Sequence, residues 1–188
     1  MNKGVPLVFL YLLFSLVFVA PVSAISGQLA TYSLDEGSDI LANDSSGNNY
    51  TATLFNSPTW TTSGRYTNAL IFDGTNDRAR TTASINLPAQ YTMLAWVNNP
   101  GNSPYETIVT VGSNRDLFIN NGQLGFYNGN MELFFGSVPV GSWHHVALVY
   151  NGSNFQAYLN GSPLGSPQPS AGGTYSGMAQ IGSWIFGT

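Results

Sequence analysis

The chain has 188 residues, of which 7% are charged, 43% are hydrophobic and none is cysteine. That length suits one domain plus a short leader. The absence of cysteine excludes disulfide bonds, a cysteine nucleophile and thiolate metal sites. Nine carboxylates outnumber five basic side chains. A nucleic acid is therefore a poor partner, because its phosphates need clustered Lys and Arg.

The first residues form a candidate export signal. Lys3 precedes an apolar run, Val5–Ala20, and Val22-Ser23-Ala24 is a small-residue cleavage site. This order predicts a signal peptide over residues 1–24. The alternative is an uncleaved membrane anchor, because the run approaches the length that spans a bilayer. In both cases we expect residues 25–188 to be secreted or displayed at the cell surface, with a net charge of −5.

Short β-rich runs recur along the rest of the chain, separated by turn residues, and no helical stripe of useful length is present. Their spacing of about 8–12 residues predicts an all-β sandwich or barrel. The predicted strands are Leu29–Leu34, Ala52–Asn56, Ala69–Phe72, Arg78–Thr82, Tyr91–Val97, Thr107–Val111, Asp116–Ile119, Gln123–Tyr127, Met131–Phe135, His144–Tyr150, Phe155–Leu159 and Met178–Ile181. Four Asn-Gly pairs, at 121, 128, 151 and 160, predict type I′ hairpin turns between successive strands.

Two of these runs are apolar on both faces. Leu94 and Trp96 share one side of the run at 91–97, opposite Met93 and Ala95. The run at 143–150 alternates in the same way. Each apolar set is suited either to burial or to lining a shallow groove, as in the central strands of two stacked sheets.

Five motifs, in order, resemble laminin-G-like domains, which belong to the concanavalin A-like lectins and glucanases. They are Leu29–Gly37, Asp44–Asn48, Asn68–Gly74, Tyr91–Trp96, and Trp143–Gly152 followed by Ala157–Gly161. The resemblance implies a jelly-roll β-sandwich of two antiparallel sheets. It also implies glycan or protein binding by a surface protein and, in many members, a structural calcium ion.

One departure from the family pattern concerns the C-terminal end. After Ile181-Gly-Ser-Trp184 the family continues with a Phe-x-Gly turn and a closing strand, whereas this sequence stops at Thr188. We therefore expect the domain at 25–188 to be C-terminally truncated and to lack its final strand. The alternative is strand exchange, in which another chain supplies that strand and pairs the open edge.

Three side chains are candidate metal ligands. Glu36, Asp44 and Asn48 offer the carboxylate and amide oxygens that calcium prefers. The alternative is turn chemistry, since Asp, Ser, Gly and Asn build turns without any metal. We expect the second acidic turn, Asp73–Asp77, to be a hairpin loop. His144-His145 does not suit one metal ion, because adjacent strand residues point to opposite faces.

Binding is a better expectation than catalysis, and we assign no catalytic residues. No strand carries two carboxylates at i and i+2, as a glycosidase pair on one strand would require. No G-x-S-x-G nucleophile motif is present either. Aromatic rings suit sugar binding, and the candidates are Trp60, Tyr105 and Tyr127, with Tyr66, Tyr175 and Trp184 as further rings. Possible glycosylation sequons begin at Asn43, Asn49, Asn151 and Asn160.

These observations favour a surface binding module that recognises carbohydrate or protein in adhesion or tethering. One alternative is a structural component of a cell envelope or filament with no soluble ligand. Another is a divergent glycoside hydrolase, because carboxylates on different strands can still converge. The sequence predicts no cofactor other than calcium.

Overall fold

The computed structural model describes residues 27–101, 104–170 and 173–183, and these contain fourteen β-strands and no helix. The predicted leader, 1–24, lies outside them. In the described part of the chain, no helix has the length and apolar character needed to cross a membrane. The strands are β1 Leu41–Ala42, β2 Ala52–Phe55, β3 Thr59–Thr61, β4 Ala69–Ile71, β5 Arg78–Leu87, β6 Tyr91–Asn98, β7 Glu106–Val111, β8 Arg115–Asn120, β9 Gln123–Tyr127, β10 Glu132–Ser137, β11 Trp143–Tyr150, β12 Asn154–Leu159, β13 Ser162–Pro169 and β14 Tyr175–Ile181.

The strands form an antiparallel jelly-roll sandwich, which confirms the predicted fold class. One sheet has eight strands in the order β1-β2-β5-β14-β7-β8-β9-β10. The other has four strands in the order β13-β12-β11-β6, and β3 and β4 form a separate hairpin. β14 lies in the middle of the large sheet, between β5 and β7.

The core lies between the two sheets and follows the period-two alternation of the strands. Leu117 and Phe126 point inward from the eight-stranded sheet, and Leu148 and Phe155 point inward from the four-stranded sheet. Phe126 and Phe155 meet across the interior with ring centroids 4.7 Å apart. Because both sheets contribute to one buried cluster, apolar burial between them holds the sandwich together.

The four Asn-Gly pairs form two kinds of turn. Asn121-Gly122 and Asn160-Gly161 have positive φ at both residues, as a type I′ turn requires. At Asn128-Gly129 and Asn151-Gly152 only the glycine has positive φ. There the asparagine Oδ1 accepts backbone N–H groups two and three residues ahead. The type I′ prediction is therefore confirmed for two pairs and wrong for the other two, which are longer Asx-type loops.

Four stretches differ from the strand prediction: β1, β3 and β13 were not predicted, and one predicted run is not a strand. The run at 29–34 forms no strand: it makes a single bridge, Tyr32 with Asp44, and Leu34 has φ of 54°. β13 was not predicted because it contains Pro163, Pro167 and Pro169. Its position at the edge of the four-stranded sheet explains this, because an edge strand tolerates residues that cannot donate a ladder hydrogen bond.

Two strand edges border one large cavity. Within the described residues β6 pairs only with β11, and β4 pairs only with β3. The cavity has a volume of about 2110 Å³ and is lined by residues of both β4 and β6 and by core side chains such as Ile85. Leu94 of β6 is 59% exposed and Ile71 of β4 is 53% exposed. The described chain ends at Ser183, also on the cavity wall, and the predicted lack of a closing strand stays a prediction.

Candidate functional site

The outer face of the four-stranded sheet carries half-buried aromatic side chains. The pairing of β6 with β11 sets Leu94 opposite Ala147 and Trp96 opposite His145. Because strand residues alternate between faces, Met93 enters the core while Leu94 and Trp96 point outward. The sequence left open whether each apolar set is buried or lines a groove. In the structure the second apolar set of these strands lies on the outer face of the sheet, away from the core.

Three rings on this face touch one another, and we call Tyr66, Trp96 and His145 the aromatic platform. The Trp96 and His145 ring centroids are 5.4 Å apart at 63°. Tyr66 meets Trp96 edge-on, with centroids 5.9 Å apart and ring planes at 88°. Tyr66 is 75% exposed, so the platform presents aromatic surface directly to solvent.

The loop that carries Tyr66 is held against this sheet by neighbouring side chains. The Arg65 guanidinium carbon lies 4.7 Å from the Trp96 ring centroid and 5.1 Å from that of Tyr66, a cation–π arrangement. Trp143 Nε1 donates a hydrogen bond to Ser63 O at 3.2 Å, which tethers the loop to β11. The platform is therefore fixed at several points rather than presented on a free loop.

The two adjacent histidines have separate roles. His145 meets Trp96 edge-on in the platform, whereas His144 is hydrogen-bonded through both ring nitrogens. Asn160 Nδ2 donates to His144 Nδ1 at 3.0 Å, so the neutral ring carries its proton on Nε2 and donates it to Ser142 Oγ at 2.9 Å. The predicted divergence of the pair is confirmed. No group of three or more His, Cys, Asp or Glu side chains suited to a metal occurs among the described residues.

The three aromatic residues singled out from the sequence do not come together. Trp60 lies on β3 and donates its Nε1 hydrogen to Asp39 O at 3.0 Å. Tyr105 stacks on Phe118 with centroids 4.6 Å apart. Tyr127 lies on β9, paired with Asp116 of β8. Their predicted ligand contacts stay predictions.

Tyr127 belongs to a line of side chains on the outer face of the eight-stranded sheet. Strand register places one residue of each strand side by side. We call this line the polar row, and its members are Thr53, Arg80, Gln180, Thr110, Asp116, Tyr127 and Glu132. Neither the row nor the strand order can be read from one sequence, because both depend on which strands pair.

Asp116 is a buried carboxyl group in the polar row, and its pKa is raised. Its side chain is fully buried, and burial raises its pKa to about 7, while a hydrogen bond from Thr107 Oγ1 at 3.4 Å acts in the opposite direction. Its Oδ1 has no hydrogen-bond partner among the described residues. A carboxyl group in this setting is a candidate for function as well as for structure.

The residues predicted to bind calcium act as loop anchors. Asp44 accepts backbone N–H groups of Thr31, Ser46 and Tyr50, each at 2.9 Å. Burial alone would raise the pKa of Asp44, but these hydrogen bonds outweigh it and hold the pKa below its usual value. Glu36 Oε1 accepts the backbone N–H of Asn43.

The remaining predicted ligand and the second acidic turn have similar roles. Asn48 Nδ2 donates to the backbone oxygens of Gln28 and Leu29. Asp73 Oδ1 accepts the N–H groups of Thr75 and Asn76, and these bonds hold the Asp73 pKa below its usual value. The hydrogen bonds fit a turn, but the hairpin prediction is wrong, because this turn joins β4 to β5 and these two strands lie in different sheets.

A laminin-G family model, described as the concanavalin A-like lectin/glucanases superfamily, matches residues 73–183, more than half of the chain. The chain belongs to this superfamily. The matched range runs from the Asp73 turn through β5 to β14 and includes Trp96 and His145 of the platform, whereas Tyr66 precedes it. The resemblance drawn from the sequence motifs is confirmed. No curated protein sequence matches the chain significantly.

Solved structures resemble this superfamily member at low sequence identity. Domain 4 of a GH43 extracellular arabinanase from Geobacillus stearothermophilus, in complex with arabinotriose, is 16% identical, with a TM-score of 0.56 over 82% of this chain and 92% of that chain. A sialidase from Trypanosoma rangeli is 16% identical, with a TM-score of 0.59 over 82% of this chain and 27% of that chain. The carbohydrate-binding module CBM66 from Bacillus subtilis is 15% identical, with a TM-score of 0.43 over 70% and 87% of the two chains.

Proposed function

We propose that this superfamily member is an exported carbohydrate-binding module whose binding surface is the aromatic platform. The observation that carries the proposal is the mutual contact of Tyr66, Trp96 and His145 on an otherwise regular sheet face, where Tyr66 is exposed and the other two rings are half-buried. An aromatic ring offers a flat apolar surface to the C–H groups of a pyranose, and ring N–H or O–H groups reach its hydroxyls. The arabinotriose-bound domain of the same fold is compatible with this role.

The chemistry of the face fits a neutral sugar stacked on rings. Trp96 supplies the largest flat surface, and the exposed Leu94 extends the apolar area along the same strand. The His145 ring and the Tyr66 hydroxyl offer polar groups at the edge of that surface. The Arg65 guanidinium holds Tyr66 against Trp96, which lowers the cost of ordering the site on binding.

A glycan array followed by pull-down on insoluble polysaccharides tests the proposal. We expect Trp96→Ala to weaken binding roughly tenfold, since the loss of the ring contact costs about 1.4 kcal/mol. Trp60→Ala removes an indole on β3 and serves as the matched control that should bind normally. Equal binding by Trp96→Ala and the parent, with unchanged thermal unfolding, would contradict the platform. Loss of binding in Trp60→Ala alone would favour the sequence-based site instead.

Binding without catalysis is part of the proposal. We expect no reducing ends to be released from any glycan that the chain binds. The buried Asp116 and the exposed Glu132 flank Tyr127 in the polar row, so a divergent hydrolase would use these two carboxyl groups. If the chain released products and Asp116→Asn or Glu132→Gln abolished that release, the divergent hydrolase would be the better assignment.

We make two further proposals, one about export of the chain and one about calcium binding. We propose that residues 1–24 direct secretion and are removed, which N-terminal sequencing of the secreted chain would test. We also propose that calcium, if it is bound, sits at the loop of Glu36, Asp44 and Asn48. A surface-protein ligand in place of a glycan would appear as glycan-independent capture of the chain on protease-sensitive cell surfaces.

Self-assembly by strand exchange is the second candidate function, and the edges of β4 and β6, which have no partner within the described part of the chain, favour it. β6 contains no charged residue or proline to discourage edge pairing. Analytical ultracentrifugation of the purified chain would show oligomers that Leu94→Lys dissociates. Tyr66→Ala is the control on the same face and should leave oligomers intact. A strictly monomeric parent at high concentration would remove this candidate.

A further inference from the structure

Two of the four arginines outside the leader lie side by side on the outer face of the eight-stranded sheet. Arg78 and Arg80 are two residues apart on β5, so they share one face, with Cα atoms roughly 7 Å apart. Phe55 and Thr53 of β2 lie opposite them in register. The guanidinium carbons lie 5.2 Å and 5.1 Å from the centroid of the same Phe55 ring. We call Phe55, Arg78 and Arg80 the arginine pair site.

These like charges lack an acidic partner. Among the described residues no carboxylate lies within 4.0 Å of either guanidinium. The nearest acid in sequence, Asp77, points away into the structure and accepts the backbone N–H of Asp73. Arg78 donates one hydrogen bond, to Asn76 O at 3.2 Å. Two adjacent cations with open N–H donors repel each other until an anion joins them, and guanidinium forks match oxyanions closely.

A buried acceptor lies beside the arginine pair site. Gln180 of β14 is opposite Arg80 in register and is 1% exposed. Its Nε2 donates to Ser183 O, whereas its Oε1 has no hydrogen-bond partner among the described residues. By strand alternation and register, Arg78, Arg80 and Gln180 all lie on this outer face. The arginine pair site therefore offers cationic N–H donors beside an unpaired acceptor, Gln180 Oε1.

We propose that the arginine pair site binds the carboxylate of an acidic sugar, as a site separate from the aromatic platform. A carboxylated sugar supplies an oxyanion to Arg78 and Arg80 and a hydroxyl donor to Gln180 Oε1. A simple inorganic anion would satisfy only the arginines. The protein as a whole is acidic, so long-range attraction does not draw in polyanions, and the local pair must provide recognition.

Titration calorimetry of the full secreted chain with oligogalacturonate tests this site, and the methyl-esterified oligomer is the uncharged control ligand. We expect the free acid to bind more tightly than the ester, and its affinity to fall roughly tenfold in Arg78→Gln and in Arg80→Gln, since a charge-assisted hydrogen bond is lost in each. Affinity should fall as NaCl is raised. Arg80→Lys keeps the charge without the fork and should give an intermediate loss.

Matched variants separate this proposal from the carbohydrate platform. Arg65→Gln removes the same charge from an arginine stacked on the opposite sheet and should leave oligogalacturonate binding intact, as should Trp96→Ala. Equal binding of acid and ester, or unchanged binding in the Arg78→Gln/Arg80→Gln double variant with normal thermal unfolding, would overturn the site. Binding of dextran sulfate but not oligogalacturonate, or equal binding of a DNA oligonucleotide, would overturn its assignment to carboxylated sugars.

Discussion

Phe126 of the eight-stranded sheet and Phe155 of the four-stranded sheet meet across the interior, with ring centroids 4.7 Å apart. Phe155 also stacks on Tyr150 with centroids 4.4 Å apart, and both phenylalanines are buried. This contact joins the two sheets directly, so the platform on one outer face and the polar row on the other rest on one packed interior.

Replacement of Phe155 by alanine should therefore lower the free energy of unfolding by about 3–5 kcal/mol, through lost burial and the cavity left behind. Denaturant unfolding followed by tryptophan fluorescence measures this loss. Thr92→Ala, at an exposed position on β6, is the control and should change stability by less than about 0.5 kcal/mol. A similar small change in both variants would show that the ring contact contributes little.

The buried Asp116 makes stability depend on pH. Its folded pKa is about 7, whereas the unfolded side chain titrates near its ordinary value of 3.8. Between these values the folded chain holds a proton that the unfolded chain releases, so the free energy of unfolding falls as pH rises from 4 to 7. The fall is of the order of a few kcal/mol, and it is complete above pH 7.

Asp116→Asn removes this ionisation. We expect the variant to match the parent near pH 4 and to be more stable by a few kcal/mol at pH 8. Urea unfolding at pH 4, 6 and 8 measures the difference. Glu132→Gln changes an exposed carboxyl group in the same row and should leave the profile unaltered. If parent and Asp116→Asn gave parallel profiles, burial would not control the charge of Asp116.

Gly125 makes room for a neighbouring ring. A methyl group at Gly125 would meet Phe118 Cε2 at 2.5 Å and Cζ at 2.6 Å, and Phe118 is itself fully buried. Gly125→Ala should therefore force the ring to shift and lower the unfolding free energy by about 1–3 kcal/mol. Gly173→Ala has nothing within 4 Å and is the matched control. Equal thermal midpoints for the two variants would contradict this close contact.

Asp44 should stabilise the N-terminal loop through its ionised form. Its pKa is lowered in the folded chain, so its contribution is present above pH 4 and lost as pH falls through the folded value. Asp44→Ala leaves the N–H groups of Thr31, Ser46 and Tyr50 without this acceptor and should cost about 1–3 kcal/mol at pH 7. The difference from the parent should shrink in acid, as thermal unfolding at pH 7 and pH 3 would show.

Calcium binding can be tested with Asp44→Ala and with Glu36→Gln. A rise in the parent's thermal midpoint on addition of calcium, absent from Glu36→Gln and Asp44→Ala, would support the sequence-based calcium prediction. The hydrogen bonds of Asp44 predict an acid-dependent loss of stability in chelator as well. Glu132→Gln, far along the other sheet edge, provides the control for a general charge effect.

Much of the fold could be predicted from local sequence patterns, and the strands that were missed have physical explanations. Alternating apolar residues located most strands, because a strand buried on one face has a period of two. β13 escaped detection because an edge strand can hold prolines that a central strand cannot. The run at 29–34 has strand-like composition, yet strand formation requires a partner in register, which composition does not encode.

The candidate sites were predictable only in part. Alternation placed Trp96 of the platform on the same face as Leu94, and Tyr66 was among the further candidate rings. The contacts of Trp96 with Arg65 and His145 depend on strand register and on a loop from a distant hairpin. The arginine pair at 78 and 80 is visible as an i, i+2 pair, but only the structure shows Phe55 and Gln180 beside it.

The central place of β14 has a consequence for biosynthesis. This strand, Tyr175–Ile181, connects β5 to β7 and so joins the two halves of the eight-stranded sheet. While the chain emerges from the ribosome, the hairpins from β7 to β13 can form early, because their contacts are local. The sheet itself can close only after nearly the whole domain has been synthesised. Nascent chains that stop short of Tyr175 should therefore remain sensitive to protease, whereas chains released beyond Ile181 should become resistant.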